Sequence, residues 1–284
     1  MRDFALFCRF DNMLNKYRKG KFDPVGVRGA LVTTFHCEYP NGLVFPAHYH
    51  EVDQIIFASH GVMTVQTPQG IWVLPANRAL WIPCGVTHTV RMSGTVSARN
   101  LYFKPGLAPG MPRTCCVVNI SPLLKELILQ ACRFPSLNRR TQIQRHLIGL
   151  IVELLHSSEL LPLQLPQPVD PRAQKVANLL LSDPANPLPT QELCRQAGAS
   201  KRTVERLFRQ EIHMTLGRWK QQLRLIYGLR LLAQGLKITS VALEAGYSSP
   251  SSFISMFRSL LGTTPGLYFR TESSNPTELP PAEY

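Results

Sequence analysis

Between residues 27 and 103 the apolar positions fall in short β-branched and aromatic runs (ALVTTF, VDQIIFA, VMTVQT, IWVL, ALWIP, HTVRM, ARNLYF) broken by Gly, Pro and Asn. Each run reads as a strand, and strands at this spacing build a sandwich or barrel. From residue 121 to 160 the period becomes helical, with Leu123, Leu124, Leu127 and Ile128 in one stripe and Ile143, Leu147, Leu150, Ile151 and Leu154 in another. Such helices cover the barrel or pair between two subunits. Residues 161–171 carry Pro162, Pro166, Pro168 and Pro171 without a period, which predicts a linker rather than a helix or central strand. Helical patterning then runs to Arg270, and the polar, Pro-rich residues 271–284 read as a disordered tail. The predicted architecture is α+β in two domains: a β-rich unit with trailing helices at 1–160, a linker at 161–171, and an all-α unit at 172–270.

Two segments of the all-α unit resemble each other: ELCRQAGASKRTVERLFRQ and VALEAGYSSPSSFISMFRS. Each sets a small residue four positions before a glycine, Cys194 before Gly198 and Ala242 before Gly246. In a helix-turn-helix the first helix needs a small side chain where the second crosses it, and the turn needs a residue that accepts positive φ. Val204, Leu207 and Phe208, and then Phe253, Met256 and Phe257, form the apolar faces that seat the second helices, while Ser200 and either Ser248 or Ser249 are suited to N-caps. Between the repeats, Leu216, Trp219, Leu223, Ile226, Leu229 and Leu232 fall at helical spacing within residues 215–235. A helix of that length spans about 30 Å, against about 34 Å between major-groove faces one DNA turn apart. One chain is thus predicted to set two recognition helices in successive major grooves.

The formal net charge is +13, which suits DNA, RNA or an acidic membrane equally. Its distribution is more informative: residues 195–237 hold ten Lys or Arg against Glu205 and Glu211, on helical sequence. A 44% hydrophobic, 17% charged chain without a long uncharged apolar run implies no membrane span. The charged opening MRDFALFCRF is unlike a secretory signal, so the expected compartment is the cytoplasm. Cys8, Cys37, Cys84, Cys115, Cys116, Cys132 and Cys194 contain no CxxC pair and read as reduced thiols.

Residues 172–270 resemble the DNA-binding domain of the AraC/XylS family of transcription regulators, including the extra residue in the second unit (Gly198 to Phe208 against Gly246 to Phe257). The closing LGTTPGLYFR, with Pro265, Tyr268 and Arg270, resembles the family's terminal signature, departing from it by Phe269. The resemblance implies a sequence-specific regulator of double-stranded DNA without catalytic activity, expected as a homodimer and with RNA polymerase as a candidate partner. On the first recognition helix, capped by Ser200, the residues Arg202, Glu205, Arg206 and Arg209 share one face. Arg donates bidentately to guanine and Glu accepts from cytosine, which makes Arg202, Glu205 and Arg206 candidate base contacts, as the family resemblance also implies. Alternatively, Glu205 pairs with Arg209 and orients it toward a phosphate. The second helix offers Ser251, Ser252 and Ser255 with Arg258 as its only cation, a set that positions more than it specifies.

In the β-rich unit, Gly42 is followed by His48, His50, Gln54 and Gly61, and then Pro83, Cys84 and Gly85 by His88. Two histidines at i and i+2 of a strand face one way, and a third from a neighbouring strand converges with them. Three imidazoles and an amide form a plausible first shell for zinc, nickel, iron or manganese. The spacing resembles the two cupin motifs, with Gln54 in place of the usual Glu, and implies a cupin-like barrel. Sensor domains of AraC-type regulators resemble cupins too, and many hold an organic effector without metal. His48, His50, Gln54 and His88 are therefore expected to bind a small-molecule or metal effector. Glu51 and Asp53 are expected to face outward, which leaves no carboxylate for catalysis beside Gln54. The competing readings are a metal-dependent cupin oxygenase or isomerase with an appended helical domain, and an RNA-binding or architectural protein.

Overall fold

Alternating β-branched and aromatic positions fold, in the computed structural model, into the antiparallel strands β1 (Val32–Tyr39), β2 (Val44–His48), β3 (Asp53–Thr67), β4 (Gly70–Pro75), β5 (Arg78–Ile82) and β6 (His88–Phe103). The structure describes residues 29–273 except Asn77, Glu159, Pro162 and Leu163, so Cys8 and residues 274–284 of the predicted tail lie outside the described residues. The sixteen-residue β6 pairs with β1, β2 and β3. β5 lies beside β3, β7 (Cys116–Asn119) beside β5, and the two-residue strands β8 (Ser136–Leu137) and β9 (Leu160–Leu161) beside β1 and β7. Gly61 stands at the register shift between β3 and β6 with φ +79°, where any Cβ would run into the Thr95 carbonyl.

One sheet face carries Val32, Ile55, Phe57, Leu101 and Phe103 into a core closed by α1 (Pro122–Ala131) and α2 (Gln142–His156). Ser121 and Thr141 cap the two helices by accepting from the Leu124 and Gln144 amides. The buried line of α2 is Leu147, Ile148, Ile151 and Leu155. It is turned by about one position from the stripe expected from sequence, because Ile143 and Leu150 remain 68% and 48% exposed. The predicted linker is also more ordered than its prolines suggest. Leu161 belongs to β9, residues 164–166 form β10 (Gln164–Pro166) beside β4, and Pro171 opens α3 (Pro171–Ser182). Proline is tolerated there because it sits at an edge strand and at a helix start. Leu165 is fully buried, and the Pro166 carbonyl accepts the Trp219 indole N–H at 2.8 Å.

The described residues divide into two compact units, with the boundary of the main segments between Gln164 and Leu165. The second unit continues through α4 (Thr190–Gln196), α5 (Lys201–Ile212), α6 (Leu216–Ala233), α7 (Ile238–Glu244), α8 (Pro250–Leu261) and α9 (Pro265–Ser273). α9 runs to Ser273, so residues 271–273 are helix rather than tail. The connecting helix α6 has eighteen residues, about 27 Å, slightly shorter than its sequence period implied. Its interior approaches α8 closely at Gly228, where a Cβ would lie 2.7 Å from the Phe253 ring, whereas Gly217 on the same helix faces open space. Gly228→Ala is therefore expected to destabilise the helical unit by about 1–3 kcal/mol through overpacking. Gly217→Ala should be neutral or stabilise it by up to about 1 kcal/mol, with both read by denaturant unfolding.

Candidate effector site and nucleic-acid interface

Cross-strand pairing brings His48, at the end of β2, directly opposite His88 at the start of β6, with ring centroids 4.3 Å apart. His50 follows two residues later, its carbonyl accepting the Gly85 amide at 2.8 Å and its ring 5.0 Å from His48 and 5.2 Å from His88. All three are buried, and one ring nitrogen from each lies within 4.8 Å of the others. His48 Nδ1 donates to the Pro46 carbonyl at 2.7 Å and His88 Nδ1 to the Val86 carbonyl at 2.9 Å. A carbonyl only accepts, so Nδ1 carries the proton and a neutral ring keeps its lone pair on Nε2. Burial, reinforced by the neighbouring His50, pulls His48 down to about 4 against the opposing bond to Pro46. Burial and His48 together pull His88 down to about 3. Both rings are neutral at neutral pH.

The amide of Gln54 is linked to the cluster through Tyr102. Its Nε2 donates to Asn100 Oδ1 at 3.0 Å and lies 3.5 Å from the Tyr102 hydroxyl. Its Oε1 is buried without a hydrogen-bond partner, as is His88 Nε2. The Tyr102 ring lies 5.1 Å from that of His50. Thr33, Tyr102 and Gln54 form one row across β1, β6 and β3, because Tyr102 pairs with both others. Asn100 and Tyr102 were not singled out from sequence, although their alternation with Leu101 and Phe103 was the available signal. Glu51 is exposed, and Asp53 is half-buried with Oδ1 accepting the Cys84 amide at 2.9 Å. Neither belongs to the histidine cluster.

In the helical unit, α4 with α5 and α7 with α8 form the two helix-turn-helix units. Cys194 and Ala242 are fully buried at the crossings, and Gly198 and Gly246 take φ +75° and +77°. Ser200 accepts from the Thr203 amide, and Ser249 rather than Ser248 caps α8 by accepting from Ser252. Val204, Leu207 and Phe208 are buried, with Phe208 edge-on to Trp219 of α6 at 5.7 Å. On the opposite face Arg202, Arg206 and Arg209 are exposed and Glu205 half-buried. Arg206 donates to Gln210 Oε1 at 2.9 Å. A cleft of about 630 Å³ opens beside the α5 N-terminus, lined in part by Gln191, Arg195, Ser200, Lys201, Arg202 and Glu205. Arg195 and Lys201 stand outside the reader set expected from sequence, and only the local charge density pointed to them. On α8, Ser251, Ser252, Ser255 and Arg258 are exposed opposite the buried Phe253 and Phe257.

Residues 193–271 match the helix-turn-helix domain family, and residues 34–165 match the AraC-like ligand binding domain family. Over 226 residues the chain is 33% identical to the HTH-type transcriptional regulator NimR of Escherichia coli K12, covering 80% of this chain and 82% of that one. The chain is a member of the AraC family of transcription regulators. The HTH-type transcriptional activator RhaR of Mannheimia succiniciproducens is 25% identical over 252 residues, 79% of this chain and 87% of that one. Among solved structures, ToxT of Vibrio cholerae O395 aligns at TM-score 0.38 and 11% identity, over 86% of this chain and 99% of that one. Likeness that loose adds no weight. This AraC-family chain is a helix-turn-helix regulator with a ligand-binding domain and not an enzyme, so the cupin oxygenase or isomerase reading is set aside. No helix among the described residues is long and apolar enough to cross a membrane.

Proposed function

We propose that the effector governing this regulator is a divalent transition metal held by His48, His50 and His88, with Gln54 as the oxygen donor. The observation that carries the reading is the convergence of three buried imidazole nitrogens within 4.8 Å. Two further features fit a metal: His88 Nε2 and Gln54 Oε1 are buried without hydrogen-bond partners, and the Nδ1 protons of His48 and His88 are held by backbone carbonyls. Orientation of ligand rings through the far nitrogen is the usual support of a metal site. Three imidazole nitrogens and one amide oxygen suit zinc, nickel, iron or manganese, and the neutral rings of His48 and His88 offer an anionic effector no charge. Bound there, a cation supplies a cross-link among β2, β3 and β6. Linkage then requires that the effector change DNA affinity and DNA change effector affinity by the same factor. The check is metal analysis and metal-dependent DNA binding of the purified chain against the His48→Ala, His50→Ala double variant, which is expected to lose both. Unchanged metal content and metal response in the double variant would sink the reading.

On DNA, α5 is the reader and α8 the anchor. Arg202, Glu205 and Arg206 contact bases and Arg209 a phosphate, while Ser251, Ser252, Ser255 and Arg258 hold the backbone. Support comes from the α5 face itself, on which Arg202, Arg206 and Arg209 are exposed and Glu205 is half-buried, and from the cleft that Arg202 and Glu205 line. Arg206→Ala is expected to cost about 1–3 kcal/mol on a selected duplex and to relax selectivity at one position. Arg258→Ala should weaken all duplexes alike. Equal losses on specific and non-specific DNA for Arg206→Ala would refute its role.

The same reading includes a homodimer acting beside RNA polymerase. Ile143 and Leu150 lie seven residues apart on the uncovered side of α2, with Leu123 of α1 57% exposed. An isologous pairing of two such faces covers the apolar groups that the barrel core leaves out. Light scattering is expected to report a dimer that Leu150→Asp dissociates; a monomer at high concentration counts against it.

A further inference from the structure

The two helix-turn-helix glycines occupy equivalent places in the repeat but different surroundings. Gly198 needs only its positive φ, since a Cβ there would meet nothing within 4 Å. At Gly246 a Cβ would lie 2.7 Å from Arg224 Nη2 and 2.8 Å from the Ala185 Cα. The turn of the second unit is thus packed against the connection between α3 and α4, which belongs to the first unit. Arg224, on α6, stands at this junction. Its Nε donates to the Pro184 carbonyl at 3.2 Å, and its guanidinium lies 5.4 Å from the centre of the Tyr247 ring, next to Gly246. One turn earlier, Lys220 Nζ lies 3.5 Å from the Asn186 carbonyl.

We propose that Arg224 is a positioning residue that locks the two helix-turn-helix units at one groove-to-groove spacing, so that the regulator reads its two DNA segments only at a fixed separation. The inference stands apart from the metal reading. Without this junction, each unit is held to α6 by its own apolar seat, Phe208 against Trp219 on one side and Phe253 over Gly228 on the other. Apolar seats are non-directional, whereas a guanidinium that bonds one loop and stacks on the ring of the other fixes direction. The lever is long: a 10° rotation over about 34 Å displaces the second recognition helix by about 6 Å. That is nearly two base-pair steps at about 3.4 Å each. A sequence-poor second helix, with serines where longer readers would stand, has little specificity of its own with which to correct such an error.

The test uses the full chain and a duplex recovered by wild type from a random library, its two protected segments mapped by footprinting. Derivatives carry one or two base pairs inserted between the segments, and a further duplex keeps only the first segment. Wild type is expected to lose about ten-fold or more in affinity on insertion of two base pairs. Arg224→Ala should lose about ten-fold on the original duplex, show insertion penalties of no more than about two-fold, and bind the single-segment duplex within about two-fold of wild type. Arg224→Met keeps the apolar stem and serves if the alanine variant fails to fold; it should behave the same way. The proposal is overturned if wild type is indifferent to spacing. It is equally overturned if the folded variant keeps the wild-type spacing dependence, whether its affinity is unchanged or lowered by one factor on every duplex, since loss of stability alone produces that pattern.

Discussion

The pleat of β6 is the constraint on which the sensor unit depends, because the two faces of this one strand carry its core and its site. Leu101 and Phe103 point into the core under α1 and α2, while Asn100 and Tyr102 between them point toward Gln54 and His50. A slip of one residue in the pairing with β3 would send Asn100 and Tyr102 into the apolar core and Leu101 toward the histidines. Both outcomes are costly, since a polar group buried without a partner loses about 1–3 kcal/mol and a core aliphatic removed from its neighbours a similar amount. Hydrophobic burial on one face therefore fixes the chemistry on the other. His88 opens the same strand beyond two register shifts in the pairing with β3, so its meeting with His48 is set separately, by the pairing of β6 with β2.

What could be read in the sequence and what could not divides along that line. The helix-turn-helix repeat was legible because its requirements are local: a small residue at the crossing, a glycine at positive φ, a serine cap and an apolar face. Each involves residues within one turn or two of each other. The histidines were legible because a motif spacing held them together. Asn100 and Tyr102 were not, because their place beside Gln54 follows from strand pairing across nearly fifty residues. The α2 stripe was misplaced by one position for the same reason, since the sheet beneath the helix chooses Ile148 and Leu155 over Ile143 and Leu150. The proline-rich connection read as a free linker because period and composition were its only signals. Its order comes from distant partners, with the Trp219 indole on the Pro166 carbonyl and the Glu211 carboxylate accepting the Val169 and Asp170 amides.

Glu211 illustrates how one unit can be both a reader and a frame. It sits in the last turn of α5, the helix whose other face presents Arg202 and Arg206, and it accepts two backbone amides at the entry to α3. A charged acceptor on neutral donors makes a comparatively strong bond. The reading helix is thereby held at three places: by Phe208 on Trp219, by Glu211 on the α3 entry, and by Ser200 at its own start. On the proposed reading, such support would let the arginines of the basic face be desolvated against DNA without loosening the fold that presents them.

The energetics of the histidine cluster argue for a ligand rather than for packing alone. A domain stable by about 5–15 kcal/mol has little room for polar atoms buried without partners, each costing about 1–3 kcal/mol. Yet Gln54 Oε1 and His88 Nε2 are placed so, on adjoining strands, while the other ends of both side chains are firmly bonded to Asn100 and Val86. Bonding the far end orients the near end, and an orientation maintained at a cost is useful only if something binds to it. A ligand at a hundred times its dissociation constant stabilises the form that binds it by about 2.7 kcal/mol, comparable to the cost of one or two such atoms. On the proposed reading, occupancy of the cluster would stabilise β6 and the helices packed behind it by a comparable amount.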